Sequence, residues 1–286
     1  MASDSGSENS RASSSAKAAA GDALTVEQAI AYLKGSDLSL RVYAAWWLGR
    51  FRINDDHAVA ALIDALADED DRTVAGGYPL RRNAARALGK LGDQKAVSAL
   101  IDSLGCSDFY VREAAAQALE MLGNQKSVPR LMQLLKNEVP GTQPSPEQPI
   151  MIQPYDALIE ALGTLGAIEA KALIASFLDH PVERVQYAAA RALYQIASDT
   201  QEAQQYGDRL IQALSHQKLQ LRRAALADLA AIGYLPAAKA IAETLAENSL
   251  KLIALKGLLE KELQQSDTNQ LSHESIQVMQ LMDTLL

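Results

Sequence analysis

Leu80 to Gly92, LRRNAARALGKLG, carries the pattern from which the architecture of this chain follows. Apolar or small residues follow Leu80 at offsets 4, 8 and 11, as Ala84, Leu88 and Leu91. At about 100° per residue these share one side of an α-helix. The same offsets recur as Leu40, Ala44, Leu48, Phe51 and as Val111, Ala115, Leu119, Leu122. They recur again as Val185, Ala189, Leu193, Ile196 and as Leu221, Ala225, Leu229, Ile232, with weaker copies centred on Leu162 and Leu258. The apolar landmark thus falls at 48, 88, 119, 162, 193, 229 and 258, with spacings of 40, 31, 43, 31, 36 and 29 residues. Periods of this length predict an all-α solenoid of about seven helix pairs. Alanine at offset 4 lets neighbouring helices approach, and each copy buries its stripe only by stacking on the next.

The totals agree. The chain has 286 residues, 48% of them hydrophobic and only 5% aromatic, and it lacks the alternating Val/Ile/Thr pattern of strands. A formal net charge of −8 argues against a general nucleic-acid binder, whose affinity rests on clustered cations. One cysteine makes no internal disulfide, which points to a reducing compartment. No apolar run reaches the roughly 18 residues of a membrane span.

Three segments are expected. Residues 1–22, rich in Ser, Ala and Gly, read as a disordered tail; Asp4 and Glu8 set them apart from a transit peptide. Residues 23–263 form the curved solenoid, and 264–286 a linker and a C-terminal amphipathic helix that caps the array or docks on a partner helix. Thr25 is an expected N-cap, with Gln28 three residues on, and Gly35 an expected stop. Two insertions lengthen the spacing. DEDDRTVAGGYP precedes Leu80, and 139–154 holds five of the nine prolines, which predicts an extended loop.

Offsets 2, 6 and 10 lie opposite the buried stripe. Successive copies place Val42, Trp46, Arg50, then Arg82, Arg86, Lys90, then Glu113, Gln117, Met121 there. Asp156, Glu160, Thr164 and Tyr187, Arg191, Gln195 follow, so a basic patch gives way to an acidic one. Tyr43, Tyr78, Tyr110, Tyr155 and Tyr187 sit near the starts of the same helices. Such a face suits a flat, anionic, ring-bearing ligand or a polar partner. A solvated face with i,i+4 pairs is the simpler account from spacing alone. At offset 1, Arg41, Arg81, Arg112 and Arg222 read as a structural ladder pairing with acids of the adjoining turns.

The four histidines are scattered, and no zinc framework, phosphate loop, dinucleotide fingerprint or serine elbow occurs. Cys106 has no histidine near it in sequence and reads as a small hydrophobe. From the residues alone the chain is a binding scaffold.

Five blocks go further: YAAWWLGRFR, GGYPLRRNAARALGKLGD, SDFYVREAAAQALEMLG, HPVERVQYAAARALYQI and GYLPAAKAIAETLAENSLKLIALKGLLE. From about Leu24 to Glu260 the chain resembles the E chains of the E/F-type phycobilin lyases, which are built of HEAT-like repeats. Trp46–Trp47 and GGYPLRRNAAR carry that resemblance most specifically. It implies a heterodimer with an F chain, itself a helical solenoid, in the cytoplasm of a cyanobacterium. The pair attaches phycocyanobilin, an open-chain tetrapyrrole, through a thioether to a cysteine of the phycocyanin α-subunit. The bilin is substrate, and no tightly bound cofactor or metal is expected. A non-catalytic assembly scaffold and a lyase subunit that also isomerises the bilin are the alternatives.

With such a ligand, the open face acquires roles by helical phase. Arg50, Arg82, Arg86 and Arg191 can hold the propionates, and Trp46 and Tyr78 can stack on the rings. Asp156, Glu160, Glu113 and Tyr187 are candidate pyrrole partners or proton donors.

Overall fold

The computed structural model describes residues 24–136, 153–265 and 272–286. The expected tail at 1–22 and most of the proline-rich insertion, 139–152, lie outside the described residues. Among those described, every regular element is helical.

Fourteen α-helices pair off along the chain. The outer members are α1 (Val26–Leu33), α3 (Asp56–Ala65), α5 (Val97–Ser103), α7 (Val128–Lys136), α9 (Lys171–Ala175), α11 (Thr200–Ala213) and α13 (Ala238–Glu243). The inner members are α2 (Leu38–Arg50), α4 (Pro79–Leu91), α6 (Phe109–Leu122), α8 (Tyr155–Thr164), α10 (Glu183–Gln195), α12 (Leu219–Ile232) and α14 (Asn248–Gln265). A last helix, α15 (His273–Asp283), packs on α13 and α14. Each inner helix stacks on the next inner helix and on its own outer partner.

All seven landmark leucines, Leu48, Leu88, Leu119, Leu162, Leu193, Leu229 and Leu258, are fully buried. Ala44, Ala84, Ala115, Ala189 and Ala225 at offset 4 are buried with them. Period alone accounts for this burial: a residue every turn or two on one side of each helix meets the partner layer. Thr25 caps α1 reciprocally with Gln28, at 2.9 and 3.2 Å. Gly92 and Gly123 end α4 and α6 in the left-handed conformation, with φ of 78° and 68°.

The inner helices touch through a second rule that the landmark does not reveal. Gly49, Gly89 and Gly163 occupy offset 9, and each lies against the offset-7 alanine of the following inner helix. A Cβ on Gly49 would sit 2.7 Å from the Cα of Ala87, one on Gly89 2.8 Å from that of Ala118, and one on Gly163 2.5 Å from that of Ala192. Between α12 and α14 the pair is reversed, Ala230 against Gly257. Two interfaces lack the glycine. Offset 9 is Glu120 on α6 and Tyr194 on α10, and there the inner helices pack less extensively.

The offset-1 ladder is structural, with one correction. Arg41 pairs with Asp68 and Arg81 with Glu69, as expected of carboxylate partners. Among the described residues Arg112 donates to the carbonyl oxygens of Cys106 and Ser107 and to Gln153, and Arg222, in place of a carboxylate, takes the carbonyls of His216, Gln217 and Leu245. A guanidinium satisfies carbonyls at helix C-termini as readily as carboxylates. The acidic insertion before α4 steadies the start of that helix, because the Asp71 carboxylate accepts from the Leu80 amide in its first turn at 2.5 Å.

Candidate functional site

The open face divides at α6. On the N-terminal side, Trp46 and Tyr43 of α2 are each about half exposed, their rings 5.7 Å apart. Arg50 stands exposed at the end of α2, and Arg86 is exposed on α4. Arg82 lies 5.8 Å from the exposed ring of Tyr110, and its Nε is buried without a hydrogen-bond partner among the described residues. Such an orphaned buried donor costs stability. Glu113 of α6 is the transition: its carboxylate sits 4.0 Å from Arg86. Burial, aided by the nearby Asp156 charge, pushes its pKa up, while Arg86 and Arg82 pull the other way.

Beyond α6 the charges face inward and pair. Arg184 of α10 bonds Glu160, reaches Asp228 of α12 at 2.7 Å, and lies 3.7 Å from Asp156. Arg191 holds Glu120 at 2.6 Å and Glu160 at 2.9 Å, and stands 3.7 Å from Asp228. Thr164 donates to Glu120 at 2.8 Å. Four carboxylates therefore share two guanidiniums, an excess of acid. Asp228 is fully buried, and the Glu160 side chain is only partly so. Burial pushes the Glu160 carboxyl up to about 7, against the pull of Arg184, with Asp228 adding to the rise. The Asp228 carboxyl is raised for the same reason, and the surrounding carboxylates hold Arg184 firmly protonated. A carboxyl with a pKa near neutrality is suited to give up or take a proton.

Several expected site residues are elsewhere. Tyr78 is buried: its ring lies under the Arg81 guanidinium at 4.1 Å and its hydroxyl donates to Glu69 at 3.0 Å, so it cannot stack on a ligand at the open face. Tyr187 is also buried, in the C-terminal core, where burial raises its pKa. Arg191 is consumed by three carboxylates and is no free propionate clamp. Of the tyrosines near the helix starts, only Tyr43 and Tyr110 are exposed.

Three members of the network were not singled out by helical phase: Glu120, Arg184 and Asp228. Two left a signal. Asp228 occupies offset 7, where Ala87, Ala118, Ala161 and Ala192 are buried, and Glu120 occupies an offset where glycine is the usual residue. A carboxylate at a core position needs buried cations. Arg184 precedes its repeat's zero mark, and nothing in the period points to it.

Comparisons with known proteins agree with this architecture. Residues 75–142 match the HEAT repeats model, and residues 40–68 and 185–216 match the PBS lyase HEAT-like repeat model. The chain is 69% identical over 264 residues to the phycocyanobilin lyase subunit alpha of Microchaete diplosiphon, covering 92% of this chain and 90% of that protein. It is 44% identical to the bilin biosynthesis protein PecE of Mastigocladus laminosus, covering 87% and 86%. Among solved structures, the complex of CpcE and CpcF of phycocyanin lyase from Nostoc sp. matches with a TM-score of 0.83 and 56% identity, over 94% of this chain and 98% of that one.

Proposed function

The chain belongs to the family of phycocyanobilin lyase alpha subunits, and we propose how its open face serves the reaction of that family. It works as one half of a heterodimeric lyase with an F chain, and the pair joins phycocyanobilin to a cysteine of the phycocyanin α-subunit. Arg50, Arg82 and Arg86 hold the propionates through their guanidinium groups. Trp46 and Tyr110 flank the rings. Glu113 and Asp156 face the pyrrole N–H groups, with Glu160 behind them, held by Arg184 and Arg191.

The chemistry is an addition. The acceptor thiolate forms a C–S bond to the ethylidene of ring A, the exocyclic π bond breaks, and its electron pair takes up a proton. Atoms balance with no oxidant, since the thiol supplies the sulfur and, through solvent, the proton that replenishes the donor. Glu160 is the donor: Arg184 and Arg191 hold it in the acid-rich network, and burial pushes its carboxyl up to about 7, so that about half of it carries a proton at neutral pH. The observation that carries this reading is the juxtaposition of a free basic, aromatic surface with an acid-rich one across α6.

The test is co-expression of this chain with the F chain, phycocyanobilin and the phycocyanin α-subunit, omitting each in turn. A covalent adduct with a phycocyanobilin spectrum, seen on the denatured protein only when both lyase chains are present, is expected. Equal adduct without this chain would reduce it to an assembly scaffold, and a violobilin-type spectrum would make it an isomerising subunit. Localisation in the cyanobacterial cytoplasm follows from the same reading; among the described residues no helix is long and apolar enough to cross a membrane.

A further inference from the structure

One carboxylate of the polar half is sealed off from any ligand. Asp228 of α12 is 1% exposed. Its Oδ2 accepts from Arg184 at 2.7 Å, and its Oδ1 lies 3.5 Å from the same guanidinium and 3.7 Å from Arg191. Glu160 of α8 holds the same two guanidiniums, bonded to Arg184 and 2.9 Å from Arg191, and its side chain is 13% exposed. Glu120 of α6 takes a further bond from Arg191 at 2.6 Å, and Asp156, on Glu160's own helix, stands 3.7 Å from Arg184. Glu113 of α6 is near enough to Asp156 to feel its charge. Among the described residues no ion pair reaches Glu160 from the outer helix α7.

The place of Asp228 in the repeat is unlike its counterparts. At offset 7, α4, α6, α8 and α10 carry Ala87, Ala118, Ala161 and Ala192, all buried. An alanine there needs no cation, whereas a sealed carboxylate must be matched by one. Both Asp228 oxygens face guanidinium donors, the arrangement of an ionised, acceptor-only carboxylate. Glu160 keeps the accessible surface, so a proton exchanged with solvent or handed to a ligand passes through it. Two guanidiniums cannot neutralise all the carboxylates around them, and the Asp228 charge adds to the rise of the Glu160 carboxyl.

We propose that Asp228 is a positioning residue for the transfer reaction: a sealed carboxylate that occupies Arg184 and Arg191, so that Glu160, on the same two guanidiniums, keeps an exchangeable proton. The proposal rests on the lyase reading above, with Glu160 as donor. The proton moves from Glu160 to the bilin, and Asp228 neither gains nor loses one. Without the Asp228 charge, Arg184 and Arg191 would hold Glu160 as an ordinary ion-paired carboxylate, ionised at neutral pH with no proton to give.

The experiment measures the initial rate of covalent adduct formation by the full chain with the F chain, phycocyanobilin and the phycocyanin α-subunit, from about pH 5.5 to about pH 8.5. Wild type, Asp228→Asn and Glu160→Gln are compared. Asp228→Asn should move the alkaline limb of the profile to lower pH by ~1 unit, so the rate falls ~tenfold at the alkaline end and stays near wild type at the acid end. Glu160→Gln should be slow throughout. If Asp228→Asn does not fold, Asp228→Ala, which places the other repeats' residue at this offset, is read in the same way. Superimposable wild-type and variant profiles overturn the proposal. So does a loss that is equal at every pH, because that is the signature of a merely structural role. A wild-type chain that forms no adduct defeats the lyase reading, and an unimpaired Glu160→Gln defeats its choice of donor. An impaired Glu160→Gln beside an unshifted Asp228 variant defeats only the role of Asp228.

Discussion

The two halves of the inner-helix stack solve the same packing problem in opposite ways. From α2 to α6, a glycine at offset 9 accepts an alanine of the next helix, the backbones meet, and the arginines are left facing outward. From α6 to α12, Glu120 and Tyr194 occupy that offset on either side of the Gly163–Ala192 contact, and charged side chains fill the interfaces. Close approach leaves no room for a polar group at the contact itself, but beside the Gly163–Ala192 contact Arg184 and Arg191 of α10 still reach Glu160 of α8. A wider interface admits them, but only in pairs, because an isolated charge away from water is expensive. The wider interfaces supply Glu120 and Asp228, which together with Glu160 occupy the cations of the second half.

Breaking the polar half should cost most. Arg184→Met leaves Asp228 and Glu160 buried with one guanidinium fewer, and denaturant unfolding at pH 7 should show a loss of ~3–5 kcal/mol. Part of that loss should return at pH 5, where the stranded carboxyls take up protons. A uniform loss at both pH values would mean that Arg184 acts through packing alone.

Breaking the close-packed half should cost somewhat less. Gly89→Leu forces side-chain atoms against the Ala118 backbone, at a cost of ~1–3 kcal/mol in the same measurement. Glu120→Gln, at the equivalent offset in the wider interface, should produce no such steric penalty, so the two interfaces can be told apart.

The pH dependence isolates one member of the polar half. Glu160 binds its proton more tightly in the folded chain, at about 7, than at the ordinary value of 4.5. Between those values the folded state holds more protons than the unfolded one, so stability declines as pH rises through that window. A fall of ~1–3 kcal/mol is expected, and Glu160→Gln should flatten it. An unchanged slope would move the shared proton to Asp228.

The smallest effect on stability belongs to the free cations. Arg82→Ala with Arg86→Ala should alter unfolding by less than ~0.5 kcal/mol, since neither makes a short ion pair. Bilin transfer should nonetheless fall at least tenfold. Unchanged transfer with F-chain binding intact would remove the propionate role.

The period of the apolar residues was enough to place the helix pairs, the seven buried leucines and the outward set of Trp46, Arg50, Arg82, Arg86 and Glu113. Burial of one helix side depends only on local periodicity, which is written in the chain. Charge partners depend on how far apart two helices stand, and residues many positions away set that distance. It therefore took the assembled stack to establish that Arg191 is held by Glu120, Glu160 and Asp228, that Tyr78 and Tyr187 are buried, and that Arg82 is left with an unpaired donor. The same holds for the C-terminal helix: its amphipathic pattern is legible in HESIQVMQLMDTLL, but the elements it packs on, α13 and α14, emerge only in the assembled fold.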